Sequence, residues 1–203
     1  MLTSTSIISF ALFGLAALGP GFAMPSAGRQ QQCADVMVIF ARGSLELPPI
    51  GLLVGPPFHE ELVRALKGRT LSFQGVDYSA SIVSYLEGGD QKGTHQMAVD
   101  ITNAAIACPN AKIVSSGYSQ GAQLVRHSAA QLSPEIAARI DAVVTFGDPE
   151  SHEPVPNLDA SKVRVFCHDG DDICKGGILF MLPPHLTYGT NTPEAAQFVA
   201  SKV

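Results

Sequence analysis

A parallel α/β sandwich is the fold this sequence predicts, on three observations. Apolar runs of strand length recur along the chain, and helical segments separate them. The runs are continuously apolar rather than alternating, as strands covered on both faces of a sheet are. One of them leads into Gly117-Tyr118-Ser119-Gln120-Gly121 and then a helix, a tight strand-to-helix turn. With 203 residues, 46% hydrophobic and 15% charged, the chain suits one globular domain and is not globally disordered.

The elements follow in order. Residues 34–41 are rich in Val, Ile and Phe and stop at Arg42-Gly43, which predicts a buried first strand. Pro56-Pro57 can open a helix, in which Phe58, Leu62, Val63 and Leu66 recur at helical spacing until Gly68. Residues 71–78 read as the second strand. A helix over 94–108 carries Met97, Ile101, Ala104, Ala105 and Ala107 and is stopped by Pro109. The third strand, 112–116, precedes the Gly-rich turn, and 120–132 has strong helix formers. Residues 141–146 and 163–166 are two more strands, and 193–203 is the closing helix. Helices on both faces give three layers over 31–203, and ligands of such sheets bind beyond the carboxyl ends of the strands.

The start of the chain reads differently. Residues 7–18 are apolar, too short to span a bilayer, and Gly19-Pro20-Gly21 and the small residues around Ala23 follow. This predicts a secretory leader over 1–23, with cleavage between 23 and 30. No other stretch suggests a membrane anchor. The formal charge of −5 and the absence of any Lys/Arg run speak against nucleic acid as a partner. In an oxidising compartment the four cysteines can form two disulfides. Cys167 and Cys174 flank a short Gly/Asp turn, so local pairing is simplest and leaves Cys33 with Cys108. On the loop-entropy model the long bridge contributes ~4–5 kcal/mol and the short one ~2–3 kcal/mol.

Ser119 in Gly-x-Ser-x-Gly sits where its hydroxyl would be presented above the sheet, with a helix N-terminus behind it. A serine nucleophile needs a base, and the base needs an orienting carboxylate, in the chain order Ser, acid, His for this kind of sheet. Of the six histidines, His59 and His95 precede the serine. His127 is eight residues along the helix, ~12 Å down its axis. His152 lies in a polar loop. Order and loop placement favour His185, with His168 as its competitor. Asp169, Asp171 and Asp172 all lie between Cys167 and Cys174, and the residues alone do not choose among them. An oxyanion would be met by the N–H of Gln120 and by Ser44, in the loop after the first strand.

The motifs together resemble the cutinase family. They are Ala41-Arg42-Gly43-Ser44; Cys108-Pro109 with Ser116-Gly117-Tyr118-Ser119-Gln120-Gly121; Val165-Phe166-Cys167 with Gly170-Asp171 and Ile173-Cys174; and Pro184-His185-Leu186 with Tyr188-Gly189. They cover nearly all of 31–203 in order. The resemblance implies Ser119 as nucleophile, Asp171 as acid, His185 as base, and Ser44 and Gln120 as the oxyanion hole. It implies the disulfides Cys33–Cys108 and Cys167–Cys174, a five-stranded compact α/β hydrolase without a large lid, and no cofactor or metal. The expected activity is secreted hydrolysis of cutin-like polyesters and lipid-like esters by a monomer. Two loops depart from the family pattern. Leu45, Leu47 and Ile50 make the stretch after Ser44 more apolar, and Leu179, Phe180 and Met181 make the stretch before His185 bulkier. These six are expected to form an apolar substrate rim. The alternatives are an acetylxylan esterase, disfavoured by the absence of Trp, and a non-catalytic lipid- or surface-binding protein, disfavoured by the filled triad positions.

Overall fold

The computed structural model describes Met1, residues 32–177 and residues 183–203; the expected leader and its cleavage region lie outside them. Strands β1 (Val36–Ala41), β2 (Leu71–Gly75), β3 (Lys112–Tyr118), β4 (Ile140–Phe146) and β5 (Val163–Phe166) form one sheet in the order β2-β1-β3-β4-β5. All neighbours are parallel. The helices are α1 (Gly55–Ala65), α2 (Ile82–Leu86), α3 (Gln91–Ala107), α4 (Gln120–Gln131), α5 (Pro134–Ala138) and α6 (Thr192–Lys202).

The apolar runs have a simple cause. In β1, Met37, Ile39 and Ala41 point into one core with Met97, Ile101 and Ala104 of α3 and Leu124 and Val125 of α4. Their neighbours Val36, Val38 and Phe40 point into a second core with Phe58 and Leu62 of α1 and Ala195, Ala196 and Val199 of α6. Each β1 residue therefore meets apolar cover whichever way it faces, and period-2 alternation disappears there; the edge strands β2 and β5 are only partly covered, and β2 alternates as Leu71-Ser72-Phe73-Gln74.

Of the boundaries that differ from expectation, three have clear local reasons. Strand β2 ends at Gly75, not Tyr78, because the loop after β1 crosses its end: a Cβ on Gly75 would stand 2.2 Å from the Pro49 carbonyl oxygen. Tyr78 instead leaves the sheet, donates its hydroxyl to the Arg42 carbonyl and accepts Arg42 Nη2 on its own carbonyl at 2.7 Å. Helix α3 begins at Gln91 rather than 94, since Asp90 caps the Gly93 N–H at 2.8 Å. Strand β3 runs on to Tyr118, which delivers the chain directly to Ser119. Among the described residues no helix is long and apolar enough to cross a membrane. The bridge Cys33–Cys108 ties the segment before β1 to the end of α3, with Cα atoms 5.5 Å apart.

His127 on α4 faces the Glu150 carboxylate at 3.0 Å. That hydrogen bond, against the opposing effect of burial, holds its pKa above the ordinary histidine value of 6.5; Arg126 and Asp148 act on it more weakly with opposite signs. A histidine whose folded pKa is raised contributes stability that is complete below its unfolded pKa and is lost as pH rises through the folded value. The stability difference between wild type and Glu150→Gln, read from urea denaturation, is therefore expected to be larger at pH 5.5 than at pH 9. A difference that does not shrink contradicts the assignment.

Candidate active site

The Gly-x-Ser-x-Gly turn is closed by backbone contact on both sides. A Cβ on Gly117 would stand 2.2 Å from the Gly121 carbonyl oxygen, and one on Gly121 would stand 2.0 Å from that of Ala41. Neither position can carry a side chain without moving a strand or a helix. Ser119 between them takes φ 55° and ψ −121°, a left-handed conformation costly for a serine. Its N–H donates to the Phe146 carbonyl at 2.9 Å, which pins the turn to the end of β4.

His185 reaches Ser119 from a 3-10 segment, Pro183–Asn191. Its Nε2 lies 2.9 Å from Ser119 Oγ, and its Nδ1 lies 2.8 Å from Asp171 Oδ2. Ser119 is 5% exposed, while Asp171 and His185 are fully buried. Both carboxylate oxygens already face donors, because Tyr188 donates its hydroxyl to Oδ2 at 2.7 Å and Ile173 its N–H to Oδ1 at 3.1 Å. An ionised carboxylate only accepts, so in the neutral imidazole the proton belongs on Nδ1 and leaves Nε2 as the acceptor toward Ser119. Burial pushes the Asp171 carboxyl up, but the hydrogen bonds from His185 and Tyr188 outweigh it and hold its pKa below the ordinary value.

The imidazole is held on several sides. Tyr118 packs along it with ring centroids 5.3 Å apart and donates its hydroxyl to the His185 carbonyl at 2.8 Å. Tyr188 stands edge-on to it at 5.9 Å. Gly147, at φ 56°, gives way to both: a Cβ there would be 2.8 Å from His185 Cε1 and 2.7 Å from Tyr188 Cε2. Tyr188, through burial and then the Asp171 carboxylate, is pushed well above the ordinary tyrosine value and keeps its proton.

The three aspartates separate cleanly. The loop closed by Cys167–Cys174, with Cα atoms 5.7 Å apart, buries Asp171 and leaves Asp169 and Asp172 exposed. His168 does not meet Ser119. It stacks on Tyr188 at 4.1 Å, while Nδ1 faces the Pro184 carbonyl and Nε2 faces Asn191. Ser44 and Gln120 are brought together by a bond from Ser44 Oγ to Gln120 Oε1 at 2.9 Å. Among the described residues, neither the Ser44 nor the Gln120 N–H donates to a protein acceptor outside the helix and strand ladders.

Of the expected rim, Leu45 and Leu47 are exposed, at 67% and 63%. Ile50 is partly buried and packs against the second core. Leu179, Phe180 and Met181 lie outside the described residues. Sequence reasoning missed Leu52 and Leu53 on the same loop and Ile82, Val83 and Leu86 on α2, all exposed. The loop is tied to the segment just before α2 by a bond from the Leu45 N–H to the Ala80 carbonyl, 2.8 Å. The apolar stretch Leu52-Leu53-Val54 was a signal for the first pair; a single turn of helix leaves none for the second.

Residues 32–203 match the family model described as Cutinase. The chain is 47% identical over 167 residues to a cutinase of Botryotinia fuckeliana, covering 82% of each protein. It is 44% identical over 186 residues to cutinase pbc1 of Pyrenopeziza brassicae, covering 92% of this chain and 91% of that protein. Among solved structures, Trichoderma reesei cutinase in complex with a C11Y4 phosphonate inhibitor superposes with a TM-score of 0.80 at 46% identity, over 83% of this chain and 76% of that one. An acetylxylan esterase structure, at 21% identity and a TM-score of 0.66 over 84% of this chain and 99% of that one, shares the fold. The sheet, the serine turn and these likenesses agree: the chain belongs to the cutinase family and is a carboxylic ester hydrolase of the cutinase type.

Proposed function

We propose that the protein is a secreted esterase of cutin-like polyesters and lipid-like esters, working through Ser119, His185 and Asp171. The observation that carries this reading is the unbroken chain from Ser119 Oγ through both ring nitrogens of His185 to Asp171 Oδ2. Ser119 Oγ attacks the ester carbonyl carbon as its proton passes to His185 Nε2. The carbonyl oxygen becomes an oxyanion that the N–H groups of Ser44 and Gln120 stabilise. When the tetrahedral intermediate collapses, the C–O bond to the alcohol breaks and His185 returns the proton to the leaving oxygen. Water then repeats the sequence on the acyl-enzyme, giving the acid and restoring Ser119. Asp171 holds the Nδ1–H and stabilises the imidazolium without taking its proton.

Secretion is supported by the leader pattern over 1–23 and by two disulfides, which persist in oxidising compartments. A polyester or lipid-like substrate is supported by the two exposed apolar segments beside Ser44 and Gln120 and by the relatives named cutinases. Labelling of Ser119 by a fluorophosphonate, together with release of hydroxy fatty acids from cutin, is the expected result. An unlabelled Ser119 argues for a binding protein, and turnover of acetylated xylan in place of cutin argues for a carbohydrate esterase.

The apolar segments make their own prediction. Leu47 and Val83 are both exposed, so little stability depends on them. Burying one such side chain against a fatty chain contributes up to ~1.5–3 kcal/mol, so Leu47→Ser with Val83→Ser is expected to cut hydrolysis of an insoluble polyester by about tenfold or more. Hydrolysis of a soluble butyrate ester should change by less than about twofold, since the charge rearrangement at Ser119 is untouched. Equal losses on both substrates contradict the rim.

A further inference from the structure

Gln120 has a side chain as well as the N–H already discussed, and the side chain is fully buried. Its Nε2 donates to Ser84 Oγ at 2.8 Å and to the Ser81 carbonyl at 3.1 Å. A carbonyl oxygen can only accept, so the amide orientation is fixed: nitrogen toward α2, oxygen toward Ser44. The oxygen in turn accepts from Ser44 Oγ. Ser84 Oγ, which accepts from Gln120, lies within hydrogen-bond distance of Ser81 on two sides, 3.0 Å from its carbonyl and 2.8 Å from its hydroxyl. A directed relay therefore runs from Ser44 through Gln120 to Ser84 and ends at Ser81, the residue that caps α2.

We propose that Ser84 is a positioning residue for ester hydrolysis, which through the Gln120 amide sets the place of Ser44 and so the geometry of the oxyanion donors. The inference rests on the oxyanion role assigned above to Ser44 and Gln120. Without Ser84 Oγ, one of the two Gln120 amide hydrogens loses its partner in a buried site, and the Ser81 carbonyl alone restrains the amide. The Ser44 hydroxyl then loses its fixed acceptor, and the turn bearing the Ser44 N–H gains freedom. Donors to an oxyanion act only when aimed where the charge develops, so the loss should fall on the transition state rather than on substrate binding. Both acylation and deacylation pass through an oxyanion, so kcat should fall whichever step is slower.

The position of the relay also has a structural consequence. The outer face of α2 carries Ile82, Val83 and Leu86 into solvent, while its inner face holds Gln120. One short helix thus borders the apolar surface and braces the oxyanion donors.

The test uses the full chain, a soluble butyrate ester and rates normalised to fluorophosphonate-titrated sites. Ser84→Ala is expected to lower kcat about tenfold with KM changed less than twofold, and Ser84→Thr, which keeps a hydroxyl, to recover at least half of the loss. A wild-type kcat in Ser84→Ala, a rise in KM in place of the fall in kcat, or equal losses in the Ala and Thr variants each overturns the relay. Should Ser84→Ala fail to fold, Ser84→Cys, whose thiol is a weak acceptor, is read by the same criteria. Ser119→Ala run alongside, with its rate normalised to protein concentration, keeps the two levels apart: if it remains active, the nucleophile assignment beneath the relay is what has failed.

Discussion

Ser119→Ala is expected to lower ester hydrolysis by about 10³-fold or more while leaving the fold intact, as removal of a nucleophile does in other triads. The loss follows from chemistry, because alanine has no oxygen to carry the acyl group. The intact fold follows from packing. Among the described residues Ser119 Oγ makes its one hydrogen bond to His185, and the turn is held by the Ser119 N–H on Phe146 and by the two glycine contacts, all of them backbone. Alanine also tolerates φ 55° no worse than serine does. His185→Ala should be equally severe, but it opens a cavity beside Tyr118 and Tyr188 and should cost stability as well. His168→Ala should cost far less activity, since its ring nitrogens face Pro184 and Asn191 rather than the serine. The measurement is turnover of a soluble ester, with thermal unfolding as the control. If Ser119→Ala retains more than about a tenth of wild-type turnover, the nucleophile is elsewhere; a larger loss for His168→Ala than for His185→Ala means the base is His168.

Much of this arrangement was legible in the sequence because its causes are local. The glycines at 117 and 121 are required by backbone contact in one turn, so the motif and the geometry are nearly the same fact. The central strands β1, β3 and β4 were visible because burial on both faces leaves long runs of buried residues. What stayed hidden depends on contacts distant in sequence. Nothing about Asp171 differs locally from Asp169 or Asp172; it is selected by Tyr188, His185 and the direction in which the disulfide loop turns inward. The resemblance to a family picked it out, where residue-level reasoning could not. Helix α2 has five residues, too few for a periodic signal, yet Ser84 and the exposed Val83 on it border the site. Tyr188 was visible only as part of a motif, and its hydroxyl matters because His168 and Asp171 lie on either side of it.

Asp171→Asn is expected to lower kcat by about 10³–10⁴-fold with the backbone unchanged, through the tautomer of His185 rather than through loss of packing. Three donors converge on the wild-type carboxylate: His185 Nδ1–H and the Tyr188 hydroxyl on Oδ2, and the Ile173 N–H on Oδ1. An amide has only one oxygen to offer them. If its NH₂ faces Ile173, two donors oppose each other in a fully buried site, which costs on the order of 1–3 kcal/mol. The cheaper arrangement points the oxygen at Ile173 and the NH₂ at His185 and Tyr188. Tyr188 can rotate its hydroxyl to accept, but His185 can accept only by giving up the Nδ1 proton. The proton then sits on Nε2 and faces Ser119 Oγ, where a base must be unprotonated to act. The carboxylate charge that stabilises the imidazolium is lost as well. Asp169→Asn and Asp172→Asn, both exposed, should stay within about threefold of wild type under the same assay. NMR of the imidazole nitrogens would show the Nδ1–H of the wild type replaced by Nε2–H in the variant. A variant that keeps Nδ1–H and is still inactive would place the defect elsewhere, and one that keeps more than about a tenth of wild-type kcat would remove Asp171 from the mechanism.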